Sequence, residues 1–403
     1  MYTPTFQPRM ELASLASNSV ALVVSLLAFI IAFVTMHLLH RGSAEPLRPG
    51  RYTSLDGLRG VLALFVFLHH SAVWYTFLHS NEYDARGTSG MLMSAAACSV
   101  GAFFMITALL FTGKILNSKG SVDWIHLYVS RILRIVPLFY CVVGLMLVNV
   151  AICTHFHLNV NPIKQFAWLG EWLLFVKYPV LNGYDATTVI VGGGIYWTLT
   201  YEWFFYFSLP ILALLLRCKP SAGWLAASLL MMVVWIGGVW HFKVAAPMAW
   251  FSGGFVAVAC TRSDRIRQLA RTPAATILVF CCVCILAAAP PMWADLVCVS
   301  LPVSIIACGN SLFGLLTHPT MRRLGDVSYG TYLLNGLVVF TVFRYIVGYR
   351  IGAQLSPMAH WGVILAATPL LVIVANAAHH RIELPALAHV ARVTARIKRS
   401  PAI

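Results

Sequence analysis

The chain has 403 residues, of which 60 % are hydrophobic and only 10 % are charged. Because about 25 % of the residues in an ordinary soluble domain are charged, this composition excludes a soluble globular protein and indicates a polytopic membrane protein. The formal net charge of +15 could indicate a nucleic-acid partner, but in a membrane protein the position of each charge along the chain decides its meaning.

Apolar runs long enough to cross a membrane follow one another along the chain, which therefore predicts an all-α, polytopic transmembrane helical bundle. The first run is long and ends without a small-residue cleavage pattern, so we expect a retained helix rather than a cleaved signal. An apolar patch at 168–175 is too short to span and indicates an interfacial or re-entrant helix. The eleven predicted spans lie near residues 18–39, 56–78, 92–113, 132–152, 196–216, 222–240, 247–261, 274–290, 294–317, 327–348 and 360–378.

The distribution of Lys and Arg predicts the orientation of the bundle. If the N-terminus lies outside, 21 of the 28 Lys and Arg residues fall on the cytoplasmic side, which is the side that positively charged loops prefer. The C-terminus then lies in the cytoplasm, and we expect its basic tail to contact anionic lipid headgroups. The net charge is explained by topology, so no nucleic-acid partner is predicted. The ten cysteines lie mostly within apolar spans, so neither a metal site nor a disulfide framework is expected.

The second span begins with the motif LDGLRG at residues 55–60 and contains His69 and His70. Arg59 and His70 are eleven positions apart, so a helix places them on nearly one face and about 16 Å apart along its axis. Ionisable groups within a membrane are functional candidates. The simpler interpretation is a helix start, with Ser54 or Asp56 as N-cap and Arg59 as one more inside-positive charge. His69 points elsewhere and is expected to be structural.

Further polar residues begin later spans. Arg131 and Arg134 share a face at the predicted start of the fourth span, where they are either topological charges or a clamp for phosphate groups. Glu202 lies inside the fifth span and is expected to pair with His70 or with an arginine. Trp197 and Tyr206 of that span suit a membrane interface. The tenth span begins with a run of hydroxyl-bearing residues that includes Ser328 and Tyr332.

The blocks LDGLRG…H, FFMITALLF, RILRIVP, WTLTYEWFFYF and LGDVSYGTYLLN occur in the order that is seen in the acyltransferase-3 family of integral membrane O-acyltransferases. The chain resembles that family from about residue 55 to residue 385. It departs from the usual pattern at Thr107, Thr198 and Asn335, where the family has serine, serine and histidine, and at the closing block HHRIELP.

The resemblance implies transfer of an acyl group, usually acetyl, from cytoplasmic acyl-CoA to a hydroxyl of a sugar or glycan at the outer face of the cytoplasmic membrane. Acyl-CoA would be a co-substrate, and no bound cofactor is expected. The family's motif histidine and glutamate correspond to His70 and Glu202, which we predict to be catalytic. The residues predicted to bind acyl-CoA are Arg59, Arg131 and Arg134, with Asp56, Trp197, Tyr206, Ser328 and Tyr332 in supporting positions.

His70 is then expected to deprotonate the acceptor hydroxyl, with Glu202 orienting or charging it, and a covalent acyl-histidine relay stays open beside direct transfer. The predicted division of the chain is an extra N-terminal helix with its linker (1–50), a ten-helix acyltransferase domain (51–385) and a basic tail (386–403). A secondary transporter is the alternative, since many spans with a few intramembrane ionisable groups fit it as well, but no inverted repeat is visible.

Overall fold

The computed structural model describes residues 17–42, 52–85, 88–118, 120–184, 191, 195–238, 245–288 and 294–399. Arg48, Arg51 and Lys119, three of the predicted inner charges, lie outside these ranges. Most of the described residues are helical, and no β-strand occurs among them. The helices are α1 Asn18–Leu39, α2 Thr53–Ser80, α3 Gly90–Asn117, α4 Trp124–Cys153, α5 Pro162–Leu173, α6 Trp197–Leu215, α7 Ala222–Gly238, α8 Ala245–Arg262, α9 Asp264–Ala270, α10 Pro273–Ala288, α11 Ala294–Ala307, α12 Pro319–Asp326, α13 Ser328–Thr341, α14 Tyr349–Gly352, α15 Pro357–Ala378, α16 Leu384–Ala388 and α17 Val390–Arg399.

The apolar segments of the sequence coincide with these helices. Within the described ranges, six helical stretches are long and apolar enough to cross a membrane, namely α1, α2, α3, α4, α6 and the stretch Pro357–Arg399. The helices α9 and α10 are bent by 71° at the break between them and add a seventh if the bent pair is one span. These helices confirm the all-α polytopic bundle. The total of eleven crossings stays a prediction, and the span predicted at 294–317 is shorter as a helix because α11 ends at Ala307.

The chain divides into two compact units, residues 1–103 with 259–374 and residues 104–258 with 375–403. In the first unit, α1 packs against α2, where the rings of Phe29 and Phe65 lie 5.2 Å apart. α12 and α13 also pack against α2. The extra N-terminal helix is therefore packed within this unit. The three-part division expected from the sequence stays a prediction.

In the second unit, α6 packs against α7, and α16 and α17 pack against α4. The tail that we expected to contact lipid headgroups thus forms a helix that buries Val390 and Thr394. Lys398 Nζ lies 2.6 Å from Asp123 Oδ2 and holds the end of α17 beside the start of α4. The hydrogen bond from Lys398 lowers the pKa of the Asp123 carboxyl below its ordinary value of 3.8.

The connection that follows α4 contains the amphipathic helix α5. Trp172 is buried on one side of α5, whereas Ile163 and Phe166 on the other side are 80 % and 74 % exposed. The buried Asn182 organises this connection, because its amide oxygen accepts from the Asn159 backbone N–H at 2.8 Å. An exposed apolar face opposite a buried one is typical of a helix that lies in the membrane interface.

Candidate active site

The glycines of the LDGLRG motif allow α2 and α12 to approach at backbone distance. A Cβ atom on Gly60 would lie 2.8 Å from Leu324 Cβ, and one on Gly57 would overlap the carbonyl oxygen of Leu316. From the opposite side, a Cβ on Gly325 would overlap the carbonyl oxygen of Asp56. Because backbone atoms cannot move aside cheaply, only glycine fits at these positions. The motif therefore has a packing role that sequence reasoning did not identify.

Arg59 and His70 lie on one unbroken helix, as their spacing predicts. α2 runs from Thr53 to Ser80, and both side chains are partly buried. Tyr52 occupies the N-cap position and makes no side-chain capping hydrogen bond. The alternative in which Ser54 or Asp56 caps the helix is therefore wrong, because both residues lie inside its first turn.

His70 has a partner that the sequence did not reveal. Its Nδ1 atom lies 3.1 Å from the hydroxyl of Tyr83, which follows α2 in the chain. Burial raises the pKa of Tyr83 well above its ordinary value, so the phenol stays neutral at physiological pH. The Tyr83 hydroxyl can accept a hydrogen bond from Nδ1–H of His70. In that tautomer the Nε2 atom of His70 carries no proton. His69 makes an edge-to-face ring contact with His70.

A second buried histidine fixes α2 directly after His70. His360 of α15 is fully buried, and its Nε2 atom donates to the carbonyl oxygen of Ser71 at 2.8 Å. The imidazole ring stacks on Phe343 at a centroid distance of 5.0 Å. This pairing holds α2 and α15 in fixed register at the level of His70.

The arginines of α4 lie deeper in their helix than the sequence predicts. α4 begins at Trp124, capped by Asp123, whose carboxylate accepts from the His126 backbone N–H at 3.1 Å. Arg131 is the eighth residue of α4 and Arg134 the eleventh, so about 10 Å of helix precedes Arg131. Placing these arginines at the helix start was therefore wrong, because hydropathy does not register the polar first turns. The free backbone N–H groups of the helix N-terminus contribute nothing to an anion at Arg131.

Arg131, Tyr206 and Glu202 are brought together in the second unit. The Tyr206 hydroxyl donates to Glu202 Oε1 one helical turn earlier on α6, and the Arg131 guanidinium lies near the same phenol. The Arg131 guanidinium also lies 5.1 Å from the centroid of the Phe111 ring. Glu202, expected to pair with His70 or with an arginine, thus contacts Tyr206, which in turn contacts an arginine. Trp197, at the start of α6, is 40 % exposed and its ring contacts those of Phe104 on α3 and Tyr201 on α6, as suits an interface residue.

The tenth predicted span begins as α13, on which Ser328 and Tyr332 are both buried. The ring of Tyr332 lies 6.1 Å from that of Phe103. Asn335 is fully buried and its Nδ2 donates to the Tyr332 carbonyl oxygen at 2.7 Å. The run of hydroxyls thus points into the protein.

Sequence reasoning missed Tyr83, His360 and a buried pair in which His379 Nδ1 lies 3.2 Å from Glu383 Oε2. The spacing of four between His379 and Glu383 in an apolar helix could have indicated that pair. No comparable signal exists for His360, whose partner Ser71 is 289 residues away.

The chain is similar in sequence to known proteins. A family described as "Acyltransferase domain" matches residues 52–377. Nodulation protein 10 of Rhizobium leguminosarum bv. viciae is 26 % identical over 378 residues, which cover 84 % of this chain and 94 % of that protein. No solved structure matches the chain. Since the family match covers most of the chain and the described helices include several that can cross a membrane, the protein belongs to the acyltransferase-3 family of integral membrane acyltransferases.

Proposed function

We propose that the protein moves an acyl group, acetyl in the first instance, from cytoplasmic acyl-CoA to a hydroxyl of a sugar or glycan presented at the outer face of the membrane. The observation that supports this most is the continuous α2 helix, which carries Arg59 near its start and His70 eleven residues later. One helix thereby joins a cation suited to phosphates with an imidazole about 16 Å further along its axis.

The proposed orientation has the N-terminus outside and the C-terminus in the cytoplasm of the inner membrane. Arg59, Arg131 and Arg134 then lie toward the cytoplasmic side, where the polyanionic head of acyl-CoA arrives. Guanidinium groups bind phosphates through paired hydrogen bonds and keep their charge at any physiological pH. The contact of Arg131 with the face of Phe111 restricts this side chain and so prepares it for binding.

His70 is proposed to be the general base. If its Nδ1–H donates to Tyr83, its Nε2 lone pair can take the proton of the acceptor hydroxyl. The acceptor oxygen then attacks the thioester carbonyl, the carbon–sulfur bond breaks, and the CoA thiolate leaves and receives the proton from His70. Tyr83 would serve as a positioning residue, because it selects the tautomer of His70.

Glu202 is the second proposed catalytic residue. Its carboxylate is held by the Tyr206 hydroxyl, which also contacts Arg131. Arg131 and Glu202 are both half-buried, where opposite charges attract each other more strongly than in bulk water. Through Tyr206, the negative charge of Glu202 is coupled to the cation that is proposed to bind the donor.

The proposal is tested with purified protein in lipid nanodiscs and radiolabelled acetyl-CoA. We expect release of free CoA thiol that depends on added membrane glycolipid and is lowered at least tenfold in Arg131→Ala, because one charge-assisted phosphate contact contributes about 1.5–3 kcal/mol. Arg396→Ala, which removes an exposed charge from α17, is the control and should act like the parent protein. No acyl-CoA binding and no thiol release at any acyl chain length would contradict the proposal and favour a transporter.

A further inference from the structure

Two buried polar atoms on one face of α13 have no hydrogen-bond partner among the described residues. Ser328 and Asn335 are 1 % and 0 % exposed, yet Ser328 Oγ and Asn335 Oδ1 are both unpaired there. At 100° per residue, the two side chains lie within about 20° of each other around the helix and about 10 Å apart along it. A buried polar atom without a partner costs free energy, so such a pair indicates a ligand or an ordered water.

Contacts at the two ends of the stretch from Gly325 to Phe340, which contains α13, place this stretch beside a defined part of α2. At one end, Gly325 meets the backbone of Asp56. At the other end, the rings of Phe340 and Trp74 lie 6.3 Å apart. The two helical segments therefore run side by side in the same direction between these contacts. Ser328 then lies at the level of Arg59, and Asn335 lies close to the level of His69 and His70.

The helix α13, with its two unpaired polar atoms, thus runs alongside the part of α2 that joins the proposed phosphate-binding arginine to the proposed base. In an acyl-CoA, the phosphates and the thioester are joined by the pantetheine arm, which carries two amide groups. Each amide offers an N–H donor and a carbonyl acceptor. The unpaired atoms of α13 offer the complementary groups, because Asn335 Oδ1 can only accept and the Ser328 hydroxyl can donate.

We infer that this face of α13 is a binding site for the pantetheine arm of the acyl donor. Asn335 Oδ1 accepts from an amide N–H of the arm near the thioester, and the Ser328 hydroxyl donates to an amide carbonyl near the phosphates. Nothing in this step makes or breaks a covalent bond. The inference rests on the proposed function, because it assumes that acyl-CoA is the donor.

The test compares binding of CoA with binding of its 3′-phosphorylated ADP portion, which lacks the arm, to protein in nanodiscs. We expect Asn335→Leu to weaken CoA binding about tenfold, the value of one hydrogen bond to a buried acceptor, and to leave binding of the ADP portion unchanged. Ser328→Ala should act in the same direction. Thr341→Val is the matched control on α13, because the Thr341 hydroxyl already donates to the Leu337 carbonyl oxygen at 2.7 Å.

The two ligands separate the possible failures. If the parent protein binds both ligands and neither variant changes the affinity for either of them, the pantetheine site is wrong and the proposed function stands. If both variants lower the affinity for the two ligands equally, the substitutions act on the fold rather than on binding of the arm, and the pantetheine site is again wrong. If the parent protein binds neither ligand, the proposed function itself is wrong and the site falls with it.

Discussion

Replacing His70 by alanine is expected to lower acyl transfer by about 10²- to 10⁴-fold, the usual contribution of a positioned general base. The donor should still bind, because the residues proposed to hold its phosphates are not altered. The effect should therefore fall on kcat, with little change in KM for acyl-CoA. Steady-state thiol release by the parent and variant proteins, in nanodiscs of the same lipid composition, measures both quantities.

Two further variants of the same region show whether the loss of acyl transfer in His70→Ala comes from the loss of the general base. Tyr83→Phe removes the hydroxyl that contacts His70 Nδ1 at 3.1 Å. It should lower kcat about tenfold, because His70 is then no longer held in one tautomer although the imidazole is still present. His79→Ala is the control, because the Nδ1 of His79 is bonded to the Tyr75 carbonyl oxygen of its own helix. Activity of His70→Ala close to that of the parent protein would show that His70 is not the base.

Replacing Gly325 by alanine is expected to lower the free energy of unfolding by about 1–3 kcal/mol, as overpacking does in a close-packed interior. In an exposed helix the same change would stabilise by about 0.5–1 kcal/mol, because alanine loses less backbone entropy than glycine. Here the added methyl group would overlap the carbonyl oxygen of Asp56, and neither backbone can retreat without separating α12 from α2. Thermal unfolding in one detergent measures the difference.

The control for Gly325 is Gly362 of α15, since no atom lies within 4 Å of the position that its Cβ would occupy. Gly362→Ala should therefore match the parent protein or exceed its stability slightly. Equal unfolding temperatures for Gly325→Ala and Gly362→Ala would contradict the close approach of α2 and α12.

The helices were largely predictable because apolar length and helical periodicity are local properties of a sequence. Helix ends were not, since they depend on polar turns that hydropathy does not register. α4 starts at Trp124, eight residues before its predicted span, and this shift moves Arg131 into the helix. α11 ends at Ala307, and Gly309, at a φ of 104°, follows in a conformation that favours glycine.

The candidate site was predictable only where its members share one helix. The separation of Arg59 and His70 follows from their spacing, as does the reach from Glu202 to Tyr206, one turn later on α6. Tyr83 reaches His70 because the chain reverses at Asn81, which ends α2 in a left-handed conformation at a φ of 58°. Such a reversal, and the contact of His360 with Ser71, depend on tertiary packing that a hydropathy pattern does not contain.

The most direct test of the proposed function is acyl transfer across a sealed membrane. Proteoliposomes would receive radiolabelled acetyl-CoA on one side only, with the glycolipid acceptor accessible only on the other. We expect label to appear on the acceptor and free CoA to stay on the donor side, and we expect both signals to be lost in His70→Ala. Transfer that occurs only when donor and acceptor share one side would contradict it.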